Sequence, residues 1–289
     1  MLSVQADYPL ARWRLIIDRT PQDGAWNMAL DEAIMDAVGA RESPPTIRFY
    51  QWRPPCLSLG KRQPLGGVDL ERCAREGVDV VRRATGGWAI LHTDEMTYSI
   101  AVPPDDPRAD GALLDAYRKL SQGLVAGLGY LGVPAVLNPV VAGGVHNASA
   151  ACFEVPSAYE ITAGDRKLIG SAQTRPNGRV LQHGSLPLHG DIARVVSCLS
   201  FQTEEERAEL AAHLRERATT LSDVIGRPVS FDEAAGAMCQ GFPLALHLEL
   251  DEGEPTAAEL ERAHALAEEK RALHAQMLAK APSATQPGA

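Results

Sequence analysis

No run of apolar residues in this chain reaches the roughly 18 needed to cross a bilayer as a helix, so a membrane span is not expected. The basic-then-apolar pattern of a secretion signal is also missing, because Asp7 and Pro9 interrupt the only candidate region. The chain has only five cysteines. Their number is odd and none forms a CxxC pair, which argues against a disulfide framework or a zinc knuckle. These absences point to a reducing cytoplasm, where a free thiol can act as a nucleophile. No glycine motif has the spacing of a P-loop or a dinucleotide fingerprint, and no GxSxG elbow supports a serine hydrolase. Basic residues are outnumbered 28 to 37, and the net charge of −9 disfavours bulk nucleic-acid binding. Aromatics are sparse, at 5%.

What remains is an ordinary globular composition, with 45% hydrophobic and 22% charged residues. A length of 289 residues allows one large domain or two small ones. The charge is uneven. Arg53, Lys61, Arg62, Arg72, Arg75, Arg82 and Arg83 outweigh Asp69, Glu71, Glu76 and Asp79, whereas acids dominate 204–269. A locally basic surface on an acidic protein suits an acidic partner; a plain solvated surface is the alternative.

Period-two alternation predicts strands over 12–18, 46–52, 56–59, 78–83, 88–91 and 95–102, and a short one over 134–137. Helical spacing of Trp26, Leu30, Ile34 and Val38 predicts a helix over 24–38, with Asp31, Glu32 and Asp36 elsewhere on its surface. Asp69 is placed to cap a short helix over 70–76. A helix over 110–131 carries Leu113, Leu114, Tyr117, Leu120, Leu124 and Leu128 on one side. Residues 158–162, a strand bearing Lys167, and a strand bearing Gln182 and His183 form three consecutive antiparallel strands. Helices follow over 204–217, 220–225 and 231–241, then a strand over 244–250. A last helix over 256–278 has a thin seam of Leu260, Ala263, Ala267, Leu273 and Met277. Strands interrupted by helices indicate an α+β fold, with no internal repeat and no dividing linker. The organisation expected is a catalytic domain over 1–250, a C-terminal helix over 251–280 and a disordered tail over 281–289.

The chemistry concentrates in 147–188. A run of small residues delivers Cys152 at a loop-to-strand junction. Cys56, Cys73, Cys198 and Cys239 read instead as buried apolar side chains. A thiol with an ordinary pKa of about 8.5 needs a nearby cation to become a thiolate, and Lys167 is the candidate. Gly170, beside Ser171, would let a ligand approach the backbone. Arg83 and Thr85 lead into Gly86-Gly87, a diglycine that frees backbone amides to face an acyl or phosphate oxygen, although a diglycine alone is also a simple turn. His92 and His183 end two strands, the second just before Gly184. Neither has a partner at metal-ligand spacing, so no metal site is expected.

Three segments taken jointly, RRATGGWAILH, ACFEVPSAYEITAGDRKLIGSAQTR and LQHGSLPL, resemble the lipoate–biotin protein ligase and acyltransferase superfamily. Within it they resemble the octanoyltransferases of the LipM type. The resemblance spans about residues 12–250, in the right order. It implies a mixed, mostly antiparallel central sheet flanked by helices, as in the biotin/lipoate protein ligase catalytic domain, lining an acyl tunnel. It further implies that Cys152 is the acyl-thioester nucleophile and that Lys167 lowers the thiol pKa and orients the acyl carbonyl. Arg83, Thr85, Gly86, Gly87, His92, Gly170, Ser171, His183 and Gly184 fall at substrate-binding positions. The implied donor is octanoyl-acyl carrier protein, and the acceptor is a lysine of the glycine-cleavage H protein or another lipoyl domain. No cofactor is expected; phosphopantetheine enters with the donor. The protein is expected to be a cytoplasmic monomer. Trp88 departs from the ligases, which often carry a third glycine there; its bulk would narrow the nucleotide side of the pocket. The alternatives are an ATP-dependent lipoate or octanoate ligase, an amidotransferase between lipoyl domains, a non-catalytic acyl-binding protein and a thioesterase.

Overall fold

A computed structural model of the chain describes residues 8–139 and 159–280. Cys152, the small-residue run before it and the tail over 281–289 lie outside the described residues. The first elements are β1 (Ala11–Ile17), α1 (Gly24–Gly39), β2 (Thr46–Tyr50), β3 (Cys56–Leu59), α2 (Leu70–Arg75), β4 (Asp79–Arg82), β5 (Ile90–His92) and β6 (Glu95–Val102). Next come α3 (Leu113–Tyr130), β7 (Ala135–Pro139), β8 (Tyr159–Ala163), β9 (Arg166–Thr174) and β10 (Val180–Pro187). The C-terminal part holds α4 (Glu204–Arg217), α5 (Leu221–Ile225), α6 (Phe231–Leu246), β11 (Leu248–Glu252) and α7 (Ala257–Lys280).

The fold is α+β, as expected. An eight-stranded sheet has the order β11-β1-β2-β6-β10-β9-β8-β7, and a three-stranded sheet has the order β4-β3-β5. In the large sheet only β1 pairs in parallel, with β2 and β11; the other pairs are antiparallel. Strands β8, β9 and β10 are sequential neighbours, because short turns can only return a strand antiparallel to the one before.

Alternation sorts the two faces of the large sheet. Ile47 and Phe49 of β2 and Met96, Tyr98, Ile100 and Val102 of β6 join Leu120, Leu124 and Leu128 of α3 and Phe242 of α6 in the main core. Truncating one such leucine to alanine typically costs about 2–5 kcal/mol. On the other face Ile16, Ala101 and Leu181 pack against Leu30 and Ile34 of α1 and Ala263 and Leu266 of α7. Helix α1 starts cleanly because the Asp23 carboxylate accepts the Trp26 N–H at 2.8 Å. Helix α7 is tied to β1 by a buried, two-pronged pair, with Arg14 Nη1 and Nη2 at 2.8 and 2.6 Å from the Glu259 oxygens. Lys270, 2.5 Å from Glu32, ties it to α1.

Several sequence expectations shift. The strand expected over 244–250 begins at Leu248, because α6 continues through Pro243 to Leu246 and stops where His247 turns left-handed, with φ 53°. Leu113 and Leu114 lie in the first turn of α3 and are exposed, since the helix begins there instead of at 110. In α7 Leu266 takes the seam position assigned to Leu273, which is exposed. Cys239 is only half-buried, and burial pushes its thiol up to about 11. Asp31, expected away from the apolar side of α1, is buried.

Candidate active site

A cleft opens where the α1-facing side of the large sheet meets the small sheet. It encloses about 310 Å³ of space counted out to its open mouth. Its walls come from β6 and β10 of the large sheet (Thr97, His183, Ser185), from β3 and β5 of the small one (Ser58, Ile90, His92), and from Met28, Tyr50 and Trp52. Gly170 and Ala172 of β9 complete it. They stand opposite Ser185 and His183 in the antiparallel register, so their missing or short side chains leave the space that the cleft occupies.

Arg83 organises the neighbouring glycine loop. Its Nη2 donates to the carbonyls of Gly86 (2.7 Å) and Trp88 (2.9 Å), and its Nη1 donates to the carbonyl of Ser58 (2.9 Å). Its Nε reaches Thr85 Oγ1 at 3.1 Å and its Nη1 reaches Ser58 Oγ at 3.2 Å. Arg83 is only 4% exposed, so the expectation that it belongs to a surface strip is corrected. A guanidinium with five donors in a planar fork suits this task, because loop carbonyls removed from water need partners.

The two hydroxyls that Arg83 touches each lead into a buried chain. Thr85 Oγ1 lies 2.7 Å from His183 Nε2, and His183 Nδ1 lies 3.2 Å from Asp31. Ser58 Oγ lies 2.7 Å from His92 Nε2, and His92 Nδ1 lies 2.7 Å from Glu95. If each Nδ1–H donates to its carboxylate, each Nε2 accepts the hydroxyl proton, and every group is satisfied. Trp52 stacks on His92, with ring centres 4.0 Å apart, and its indole N–H donates to Thr97 at 2.6 Å.

The carboxylates anchor these chains. Burial by itself would raise the Asp31 carboxyl. The hydrogen bond from His183, the Arg48 charge and the Tyr50 hydroxyl outweigh it and hold Asp31 below the usual range. Arg48 lies 2.8 Å from Asp31 and 2.7 Å from Asp18. Glu95 follows the same logic: burial raises it, but His92, Ser185 and Thr97 leave it lowered overall. Ser185 donates to Glu95 at 2.6 Å, and Thr97 donates to it as well. A network satisfied in this way holds the cleft walls in one geometry.

Lys167 stands at the β9 side. It is 4% exposed and its ammonium lies 2.8 Å from Glu160. A methyl group placed on Gly170 would touch Lys167 Cε at 3.4 Å and lie 3.8 Å from Nζ. The ammonium therefore sits next to the strand position that lines the cleft. Gly184 is required for a different reason: a Cβ there would fall 2.4 Å from the Gly170 carbonyl and 2.7 Å from the Tyr98 ring. Ser171 receives the Tyr98 hydroxyl at 2.6 Å.

Of the residues expected at the site, Arg83, His92, Gly170, His183 and Gly184 line the cleft. Thr85 is one hydrogen bond behind His183, and Lys167 borders Gly170. Gly86 and Gly87 form the exposed loop held by Arg83, and Ser171 bonds to Tyr98 beside Gly184. Sequence reasoning missed Asp31, Glu95, Arg48, Ser58 and Glu160. Only Glu95 carried a signal in its spacing: it lies three residues after His92 and bonds its Nδ1 at 2.7 Å, which corrects the expectation that His92 has no partner at such spacing. Among the described residues no group of three or more His, Cys, Asp or Glu side chains could hold a metal ion, and no helix is long and apolar enough to cross a membrane.

Known proteins resemble this chain in sequence and fold. The family described as the lipoyl protein ligase A/B catalytic domain matches residues 23–243. A protein of Symbiobacterium thermophilum named octanoyltransferase LipM is 43% identical over 266 residues, covering 89% of this chain and 95% of the relative. An octanoyltransferase LipM of Kyrpidia tusciae is also 43% identical, over 259 residues, covering 88% and 94%. Among solved structures, a bipartite lipoate protein ligase of Thermoplasma acidophilum, described with its E2 lipoyl domain, superposes with a TM-score of 0.73. It is 26% identical, and the match covers 91% of this chain and 94% of that one.

Proposed function

This chain belongs to the lipoyl protein ligase A/B catalytic domain family, and from that premise we propose that it is an octanoyltransferase of lipoate biosynthesis that works through an acyl-cysteine. The observation that carries the reading is the near full-length likeness to octanoyltransferases, joined to an apolar cleft bordered by Lys167. The donor is octanoyl-acyl carrier protein. The acceptor is a lysine of the glycine-cleavage H protein or of another lipoyl domain. The enzyme acts in the cytoplasm, as a monomer, and needs no cofactor of its own.

In the first step the Cys152 thiolate attacks the thioester carbonyl of the donor. The bond from that carbon to the phosphopantetheine sulfur breaks, and the departing thiolate takes up a proton. Lys167 as ammonium favours the Cys152 thiolate and faces the developing oxyanion. In the second step the neutral amine of the acceptor lysine attacks the octanoyl-Cys152 carbonyl. A C–N bond forms, the C–S bond breaks, and the amine proton passes to the released cysteine. Thioester to amide runs downhill, so ATP is not consumed.

The test is incubation with octanoyl-acyl carrier protein, followed by mass spectrometry. One octanoyl mass on Cys152 is expected, with transfer to a lipoyl domain that is abolished in Cys152→Ala and independent of ATP. Transfer that survives Cys152→Ala would sink the covalent route, and transfer requiring ATP with pyrophosphate release would return the ligase reading. Lys167→Ala should raise the pH at which iodoacetamide modifies Cys152; an unmoved profile removes Lys167 from that role.

A further inference from the structure

The glycine loop beside the cleft is backed by a cationic turn that the site chemistry leaves unused. Lys61 and Arg62 are exposed at this turn, and among the described residues neither side chain has a carboxylate partner. Beneath them Arg82 Nη1 donates to the carbonyls of Gly60 (2.6 Å) and Gln63 (2.9 Å), so its charge also meets no carboxylate among the described residues. Two other members of the basic segment are already engaged, whereas the exposed Arg53 and Arg75 lie outside this turn. Arg72 is paired with Glu76 at 2.8 Å, and Arg83 is buried in the loop. Three uncompensated cations thus stand together on a protein whose net charge is −9.

The turn is fixed against the loop. The Gly60 N–H donates to Gln63 Oε1 at 3.2 Å, and the Lys61 N–H donates to the Thr85 carbonyl at 2.8 Å. A Cβ on Gly60 would lie 1.9 Å from the Gly87 carbonyl oxygen, so only glycine allows this approach. Lys61 and Arg62 are therefore held in place relative to Gly86-Gly87, next to the cleft into which an acyl chain must pass. A thioester donor carried on a phosphopantetheine arm brings a phosphodiester near that entrance and an acidic protein surface behind it. Fixed cations there meet both charges, raise the encounter rate and orient the arm.

We propose that the 60–63 turn, presenting Lys61 and Arg62 above Arg82, is the docking surface for an acidic acyl-carrier domain in the first half-reaction. The proposal rests on the octanoyl-transfer reading above. Electrostatic docking of this kind weakens with salt, because the Debye length shrinks to about 8 Å at physiological ionic strength.

The experiment compares the full-length protein with its K61E/R62E variant, both substitutions being exposed and outside the cleft. Acylation of the enzyme is followed in single turnover with two donors, octanoyl-acyl carrier protein and octanoyl-pantetheine, which lacks both the phosphate and the carrier. Binding of the carrier bearing unacylated phosphopantetheine is measured by titration, so the surface is read even without transfer. The variant should need about tenfold more carrier for both half-maximal acylation and binding, and should lose most of the salt dependence. Acylation by octanoyl-pantetheine should not change. Unchanged carrier binding, or equal loss with both donors, overturns the proposal. So does a loss confined to transfer onto the lipoyl domain, which would assign the turn to the acceptor. If the parent binds the carrier through this turn but is acylated by neither donor, the octanoyl-transfer reading fails instead.

Discussion

Replacing Asp31 by Asn tests whether one buried carboxylate organises a wall of the cleft. Asp31 is 1% exposed and accepts from Arg48 (2.8 Å), Tyr50 (2.7 Å), Ser99 (2.8 Å) and His183 (3.2 Å). Asparagine keeps the shape but turns one acceptor oxygen into a donor. Two of the present donors then face an N–H group, and Arg48 retains Asp18 at 2.7 Å as its remaining carboxylate. Removing one member of a buried pair costs about 3–5 kcal/mol. With 289 residues, the unfolding entropy is roughly 0.6 kcal/mol/K, so the midpoint should fall by about 5–8 °C. Calorimetry at neutral pH measures this.

The pH dependence has a definite sign. The folded carboxyl lies below its ordinary value of about 3.9, so the unfolded chain binds the proton first. Its contribution is complete above that value and is lost as pH falls through the lower folded value. The Asn variant should therefore show a flatter acid limb, with the residual slope from carboxylates such as Glu95, which is also lowered. A midpoint within about 1 °C of the parent, or an unchanged acid limb, would refute the reasoning.

Gly184→Ala should destabilise by about 1–3 kcal/mol through overpacking against the Gly170 carbonyl and the Tyr98 ring, lowering the melting midpoint by roughly 2–5 °C; an unshifted midpoint would mean that β9 yields freely. Arg83→Lys keeps the charge but not the planar fork that spans Ser58, Gly86 and Trp88, so amide hydrogen exchange over 84–88 should accelerate and kcat/KM should drop about tenfold or more; protected amides at full activity would show that the loop holds itself. Glu160→Gln should keep Lys167 in position but remove its ion pair with residue 160, changing the pH profile of Cys152 alkylation while glutamate-to-aspartate substitution largely restores it; identical profiles for all three proteins would separate Glu160 from the thiol.

Much of the fold could be read from local patterns. Strand β6 occupies the span expected from alternation, and Asp69 caps α2 by accepting the Arg72 N–H at 2.8 Å. Lys167, Gly170, His183 and Gly184 could be grouped in advance because β8, β9 and β10 are consecutive in sequence and adjacent in the sheet. Short turns carry sequence proximity directly into space. The same holds for Arg83, Thr85 and the diglycine, which act within one loop.

Asp31 shows where that legibility stops. Its neighbours along α1 give no hint of burial, because burial is decided by what lies beneath the helix. That surface is made of Arg48 from β2, Ser99 from β6 and His183 from β10, separated from Asp31 by 17, 68 and 152 residues. Likewise Ser58 meets His92 only because β3 pairs with β5 in the second sheet. Sequence alone determined the span of elements such as β6 and the grouping of Lys167, Gly170, His183 and Gly184 on neighbouring strands, since those depend on side-chain type and short-range periodicity. Tertiary structure alone decided which carboxylates are withdrawn from water and which hydroxyl each histidine holds. Those outcomes depend on strand order and helix packing, which join distant segments and leave no mark in any one of them.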